Sequence, residues 1–139
     1  MIEHARDRVI ALGKAAVLGG VCGMRTFTGP AALAVRGRIG WRPLRLAVLA
    51  AAAAELAGDK HPAAGNRTDP PALAGRAVTA ALTGRGLAGA PGAAVAAAAA
   101  VASAYATFHL RARLAEHLPP LAAGAAEDAL AITLALATT

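Results

Sequence analysis

The sequence predicts an all-α polytopic membrane bundle of about five short helices, on three observations. The composition is apolar: 57% of the 139 residues are hydrophobic and 16% charged, with mean hydropathy +0.51. A soluble domain carries about 45–50% apolar and about 25% charged residues. Uncharged or nearly uncharged runs recur along the chain, punctuated by Pro and Gly. The charges collect beside those runs, in Glu55-Leu-Ala-Gly-Asp59-Lys60, in Asn66-Arg67-Thr68-Asp69 with Arg76, and in Glu127-Asp128. A charge near hydrocarbon costs roughly 2.5–3.5 kcal/mol at a helix centre, so such groups are paired, at an interface, or functional.

The first run covers residues 9–35 and exceeds the about 20 residues a span needs. It carries Lys14 and Arg25, and its Gly19 and Gly23 form a small-xxx-small pair suited to close helix contact. Gly29-Pro30 predicts a kink or break. The preceding Met1-Ile-Glu-His-Ala-Arg-Asp-Arg8 resembles the flank of a signal peptide. Arg25, Pro30 and the lack of a small-x-small cleavage context instead favour a retained helix.

Residues 36–45 hold Arg36, Arg38, Arg42, Arg45 and the only tryptophan, Trp41, and read as an interfacial turn. The second run, 44–57, is short for a span unless Glu55 enters the bilayer edge. Residues 58–71 form a loop with Pro62, Gly65, Pro70 and Pro71 as breakers. The third run, 72–90, contains Arg76 and Arg85, and Pro91-Gly92 makes the next turn. The fourth, 93–110, is mostly alanine, a strong helix former. Arg111, Arg113, Glu116 and Pro119-Pro120 end it. The fifth, 121–137, carries Glu127-Asp128 near its start. These runs use nearly the whole chain, leaving one integral membrane helical domain over residues 1–139. Residues 9–59 and 93–128 faintly echo each other, and with one helix between them would form an inverted hairpin repeat, as in many transporters.

Five alternating spans would place loop 59–71 and turn 111–120 on the side where the first helix starts, and turn 36–45 opposite. Lys and Arg counts then make that first side cytoplasmic. Acids and bases from distant parts of the chain would meet at one membrane face. The candidate ion- or ligand-binding residues are Arg25, Glu55, Asp59, Lys60, Arg67, Arg76, Arg111, Glu127 and Asp128. For the four acids, structural neutralisation of a neighbouring base weighs equally with function. For Arg25, snorkelling to the interface is the alternative.

Other chemistries find little support. Net charge is +6, but the bases lack the interleaved aromatics that stack nucleobases, so nucleic acid is not expected as a partner. The single Cys22 allows no intramolecular disulfide and reads as a packed thiol. No HExxH, Walker loop, dinucleotide fingerprint or nucleophile elbow occurs. Neither a metal site nor a cofactor is expected, and catalysis is not favoured.

Three stretches resemble a bacterial family of small membrane proteins catalogued as domain of unknown function 4126. They are Gly19-Gly-Val-Cys-Gly23-Met-Arg25-Thr-Phe27 with Pro30-Ala-Ala-Leu33, and Glu55-Leu-Ala-Gly-Asp59-Lys60-His-Pro62 with Asn66-Arg67-Thr68 and Pro70-Pro71-Ala-Leu73-Ala-Gly75-Arg76. The third is Arg111-Ala-Arg-Leu114 followed by Glu127-Asp128-Ala-Leu-Ala131. The resemblance implies a helical fold in the cell (inner) membrane and supplies no substrate or catalytic residue. Gly65 departs from the pattern, where a proline-like turn residue is expected.

The expectation is a small transporter or permeation protein in contact with membrane lipids. Five short helices enclose little volume, so a homo-oligomer is expected to complete the pathway. Glu55, Asp59, Glu127 and Asp128 would bind a cation or proton, with Arg25, Arg67 and Arg76 balancing them or holding an anionic group. The alternatives are a membrane enzyme acting on a phosphorylated lipid, with a carboxylate as base, and a structural membrane subunit without chemistry. The solute or ion is not legible in the sequence.

Overall fold

The computed structural model describes residues 1–58 and 66–139. Its described residues form five helices: α1 (Ile2–Met24), α2 (Thr28–Val35), α3 (Arg42–Gly58), α4 (Pro70–Leu114) and α5 (Pro120–Thr138). Two of them, α4 and α5, are long and apolar enough to cross a membrane. The fold is thus all-α, and these two apolar helices are consistent with a helical bundle.

The helix count matches the expectation, but the boundaries do not. The first run breaks in two at Arg25, whose backbone is extended (φ −141°, ψ 114°). Pro30 is not the break; it lies inside the first turn of α2, where its missing N–H costs no hydrogen bond. The third and fourth runs join as one long element that doubles back. Ala88 and Gly89 leave helical geometry, Gly89 at φ +64°, a conformation open to a residue without Cβ. The arms, 70–87 and 90–114, then meet so closely that a Cβ on Gly84 would strike the carbonyl of Gly92. Pro91 falls in the first turn of the second arm, not in the turn itself.

Helix α1 packs chiefly on α4. Gly19 lies against the backbone of Ala96, and Gly23 against Ala100 and Ser103. No side chain fits at either point, so the small-xxx-small spacing becomes a helix crossing. The Ser103 hydroxyl donates to the Gly20 carbonyl at 2.6 Å across the same seam. One core cluster here is Ala15, Cys22, Ala80, Ala96 and Ala100. A second joins Leu18, Val21, Met24 and Ala32 to Ala131 and Ala135 of α5. The largest fully buried side chains are only Leu18, Val21 and Cys22. Alanine thus sets the close helix spacing.

These contacts fix directions. Residues 19 and 23 of α1 meet 96 and 100 in ascending order, so α1 runs parallel to the second arm of α4. Helix α5 returns antiparallel to that arm, because Arg67 joins Glu127 to Thr107 while Arg111 lies beside Gly124. Arg36, just past α2, donates to the Leu136 carbonyl at 3.2 Å, at the far end of α5. Helices α1 and α2 therefore form a re-entrant pair that enters the bundle and returns to the same end. This corrects two expectations. Turn 36–45 shares an end with the start of α1 instead of lying opposite. The echoing hairpins are not inverted, since α1 and the second arm run the same way. The physical cause is the break at Arg25, which divides the one expected span between α1 and the short helix α2.

Candidate functional site

A broken helix leaves backbone groups without intrahelical partners: the last carbonyls of one half and the first amides of the other. Here both sets fall inside the bundle. Gly23 packs at Ala100, midway along residues 90–110, which carry no Asp, Glu, Lys or Arg. Side chains from elsewhere supply the missing partners.

The Glu55 carboxylate, near the end of α3, accepts the Thr26 N–H at 2.7 Å and the Phe27 N–H at 2.9 Å. Arg76, buried in the first arm of α4, donates through Nη1 to the carbonyls of Gly23 at 2.9 Å and Met24 at 3.0 Å. Its Nη2 stands 3.9 Å from Glu55 Oε1. A negative group thus caps the start of α2 and a positive group the end of α1, the signs that helix dipoles favour. Helix α1 has no base in its own last turn, so Arg76 substitutes from a distance.

The second set of ion pairs ties α5 to the break. Arg25, 4% exposed, pairs with Asp128, whose side chain is 21% exposed. Glu127 pairs with Arg67 and lies 3.7 Å from Arg111. Arg67 also donates to the Thr107 hydroxyl at 3.3 Å, and that hydroxyl donates to the Ser103 carbonyl at 2.8 Å. Turn 66–69 positions Arg67, with the Asp69 carboxylate accepting the Asn66 N–H at 2.9 Å before Pro70 starts α4. Arg25 does not snorkel: its side chain is almost wholly enclosed.

A cavity of about 260 Å³ opens beside this second set. Pro120 and Leu121, at the start of α5, mark its outer part, and Arg25 and Asp128 line its inner part. Arg111 and Gly124 stand between. A smaller cavity of about 160 Å³ lies against Glu127, Thr107 and Met24. The arrangement can hold a small charged or polar species in the cavity beside the Arg25–Asp128 pair.

Seven of the nine candidate residues are therefore placed: Arg25, Glu55, Arg67, Arg76, Arg111, Glu127 and Asp128 belong to two adjoining networks around the break. Asp59 and Lys60 lie outside the described residues. The cluster is not confined to one end of the bundle, as five full spans would require. Glu55, Arg76 and Arg25 sit at the inner ends of α1 and α2, because that is where the helix breaks. Sequence reading did not single out Thr107, which completes the Arg67–Glu127 link, or the carbonyls of Gly23 and Met24. A Ser103/Thr107 pair four apart on an otherwise alanine-rich helix was the available signal. Among the described residues, no group of three or more His, Cys, Asp and Glu could hold a metal ion.

No family model matches the chain, and neither a curated protein nor a solved structure is similar to it.

Proposed function

We propose that this chain is a small integral protein of the cell (inner) membrane that passes a small solute or ion. The observation that carries the reading is the cavity beside the broken helix. It runs from the start of α5 to the Arg25–Asp128 pair inside the bundle. Irregular backbone at membrane depth is tolerated where it is buried in protein or lines a polar cavity. Transporters place their sites at such discontinuous helices. The two apolar helices α4 and α5 supply the lipid-facing frame. The motifs around Arg25, Glu55 to Arg76, and Glu127-Asp128 are also the ground for proposing membership of the family catalogued as domain of unknown function 4126. A homo-oligomer is part of the proposal, since the cavities beside the Arg25–Asp128 and Glu127 ion pairs are small in one copy.

Within this reading the two networks divide the work. Glu55 and Arg76 hold the break open by capping it. Asp128 and Arg25 face the cavity and contact the passing species, with Arg111 at the approach. A structural subunit is the second reading, favoured by the closed Glu55–Arg76 cap, whose charged groups already satisfy backbone partners.

The deciding experiment is flux into proteoliposomes. The probes are protons, sodium, potassium, chloride and acetate, each followed with a dye, an electrode or a radiotracer. The reading expects flux of at least one probe above protein-free vesicles, lowered at least about tenfold by Asp128→Asn, a change of about 1.4 kcal/mol in the barrier. The exposed Glu116→Gln variant should match the native chain. Folded protein that passes none of the five would favour the structural reading.

A further inference from the structure

A further cavity lies away from Glu127 and Asp128, toward the end of the bundle that holds turn 36–41. It measures about 390 Å³, within the roughly 300–1,000 Å³ range of small-molecule sites. It lies between α2, α3 and the first arm of α4, and its wall is hydrocarbon: Phe27, Pro30, Leu33, Leu44, Val48 and Leu82. Along α4 it extends from Thr79 to Leu87, about 12 Å at 1.5 Å per residue. The Thr83 hydroxyl, also in the wall, donates to the Thr79 carbonyl and asks nothing of an occupant. Among the described residues, no carboxylate, histidine, serine or cysteine lines the cavity.

The charge at one end identifies the occupant. Among the described residues, Arg38 is the one charged residue in the lining, and it belongs to turn 36–41 between α2 and α3. Arg36, Arg42 and Arg45 neighbour it in sequence, and exposed Arg85 adjoins the lining residue Gly86. Basic clusters at a membrane surface attract anionic lipids. Exposed Trp41, in the same turn, is the residue type that settles at the headgroup level.

We propose that this cavity binds an anionic phospholipid, with its phosphate on Arg38 and the upper part of one acyl chain between α2, α3 and the first arm of α4. The lipid braces the re-entrant helix α2 against α3 and α4 from the side away from α5. This site rests on the membrane reading but not on transport, so loss of flux would leave it standing.

The single tryptophan gives a direct test. The chain is reconstituted in phosphatidylcholine vesicles containing a minor fraction of phosphatidylglycerol or phosphatidylcholine brominated near the head of the acyl chain. Trp41 emission is then read in each. The native chain should be quenched about threefold or more strongly by the brominated phosphatidylglycerol. Arg38→Gln, at an exposed position, should bring the two lipids level. Gly86→Leu should do the same without touching a charge, because Gly86 lines the cavity and a Cβ there has nothing within 4 Å. Circular dichroism checks that both variants keep their helices. Equal quenching in the native chain, or a preference that survives either variant in folded protein, would overturn the proposal.

Discussion

Glu55 and Arg76 lie 3.9 Å apart and cap the two sides of one helix break, Glu55 the amides that lead into α2 and Arg76 the carbonyls that end α1. Both are mostly enclosed, with side chains 16% and 10% exposed. Removing one member of such a pair strands the other and the backbone groups it served. Glu55→Ala or Arg76→Ala should therefore destabilise the protein by about 3–5 kcal/mol. Thermal unfolding in detergent measures this. Glu55→Gln keeps an acceptor for one amide and should cost clearly less. A double variant whose loss equals the sum of the single losses would mean the residues do not act as one cap.

The α1 seam predicts a contrast between neighbouring glycines. Gly23 meets the Ala100 carbonyl and the Ser103 hydroxyl, while a Cβ on Gly20 meets nothing. Gly23→Ala should cost about 1–3 kcal/mol by forcing the helices apart. Gly20→Ala should be neutral or stabilising by about 0.4–1 kcal/mol, through the lower entropy of the unfolded chain. Equal melting temperatures for the two variants would contradict the packing.

Glu127 joins Arg67 and Arg111, two bases far apart in the chain. Arg67→Ala and Glu127→Gln should therefore combine non-additively, with an interaction energy of about 0.5–3 kcal/mol. Arg113 is exposed and lies outside the network, so Arg113→Ala should add independently to either. A double-variant cycle in detergent-solubilised protein measures both.

The re-entrant α1–α2 pair leaves the expected orientation unchanged but moves turn 36–41 to the end where α1 starts. The end where α1 starts also holds turn 36–41 and Arg85, so Arg6, Arg8, Lys14, Arg36, Arg38, Arg42, Arg45 and Arg85 collect there. Among the described residues, Arg67, Arg111 and Arg113 lie toward the other end. On the membrane reading proposed above, the positive-inside rule places the α1 end on the cytoplasmic side. Cys22 is buried, so an introduced cysteine reports its own position. Glu3→Cys and Gly40→Cys should react with an impermeant thiol reagent from the cytoplasmic side, and His117→Cys from the opposite side. Labelling of Glu3→Cys and Gly40→Cys from opposite sides would return the topology to five alternating spans.

A last prediction concerns the membrane itself. Helices α4 and α5 are long and apolar enough to span, so on the membrane reading alkaline carbonate washing should leave the protein in the membrane pellet. Its appearance in the supernatant would remove the basis of the transport and lipid proposals together.

The sequence by itself determined the helical class, the alanine-rich packing and the outlying charges, because each is a local property. Apolar runs, Pro and Gly punctuation and the Gly19/Gly23 spacing can be read within a few turns of chain. Only the tertiary structure decided where the first run breaks. The sequence offered Pro30 as the breaker, yet the chain leaves the helix at Arg25. Glu55 and Arg76, 30 and 51 positions further along, make that break tolerable by satisfying its backbone. The end that carries turn 36–41 followed from that break, which lets α2 return toward the start of α1. A long-range cap leaves no local pattern, since its cost and its compensation lie in different helices and meet only when the bundle closes.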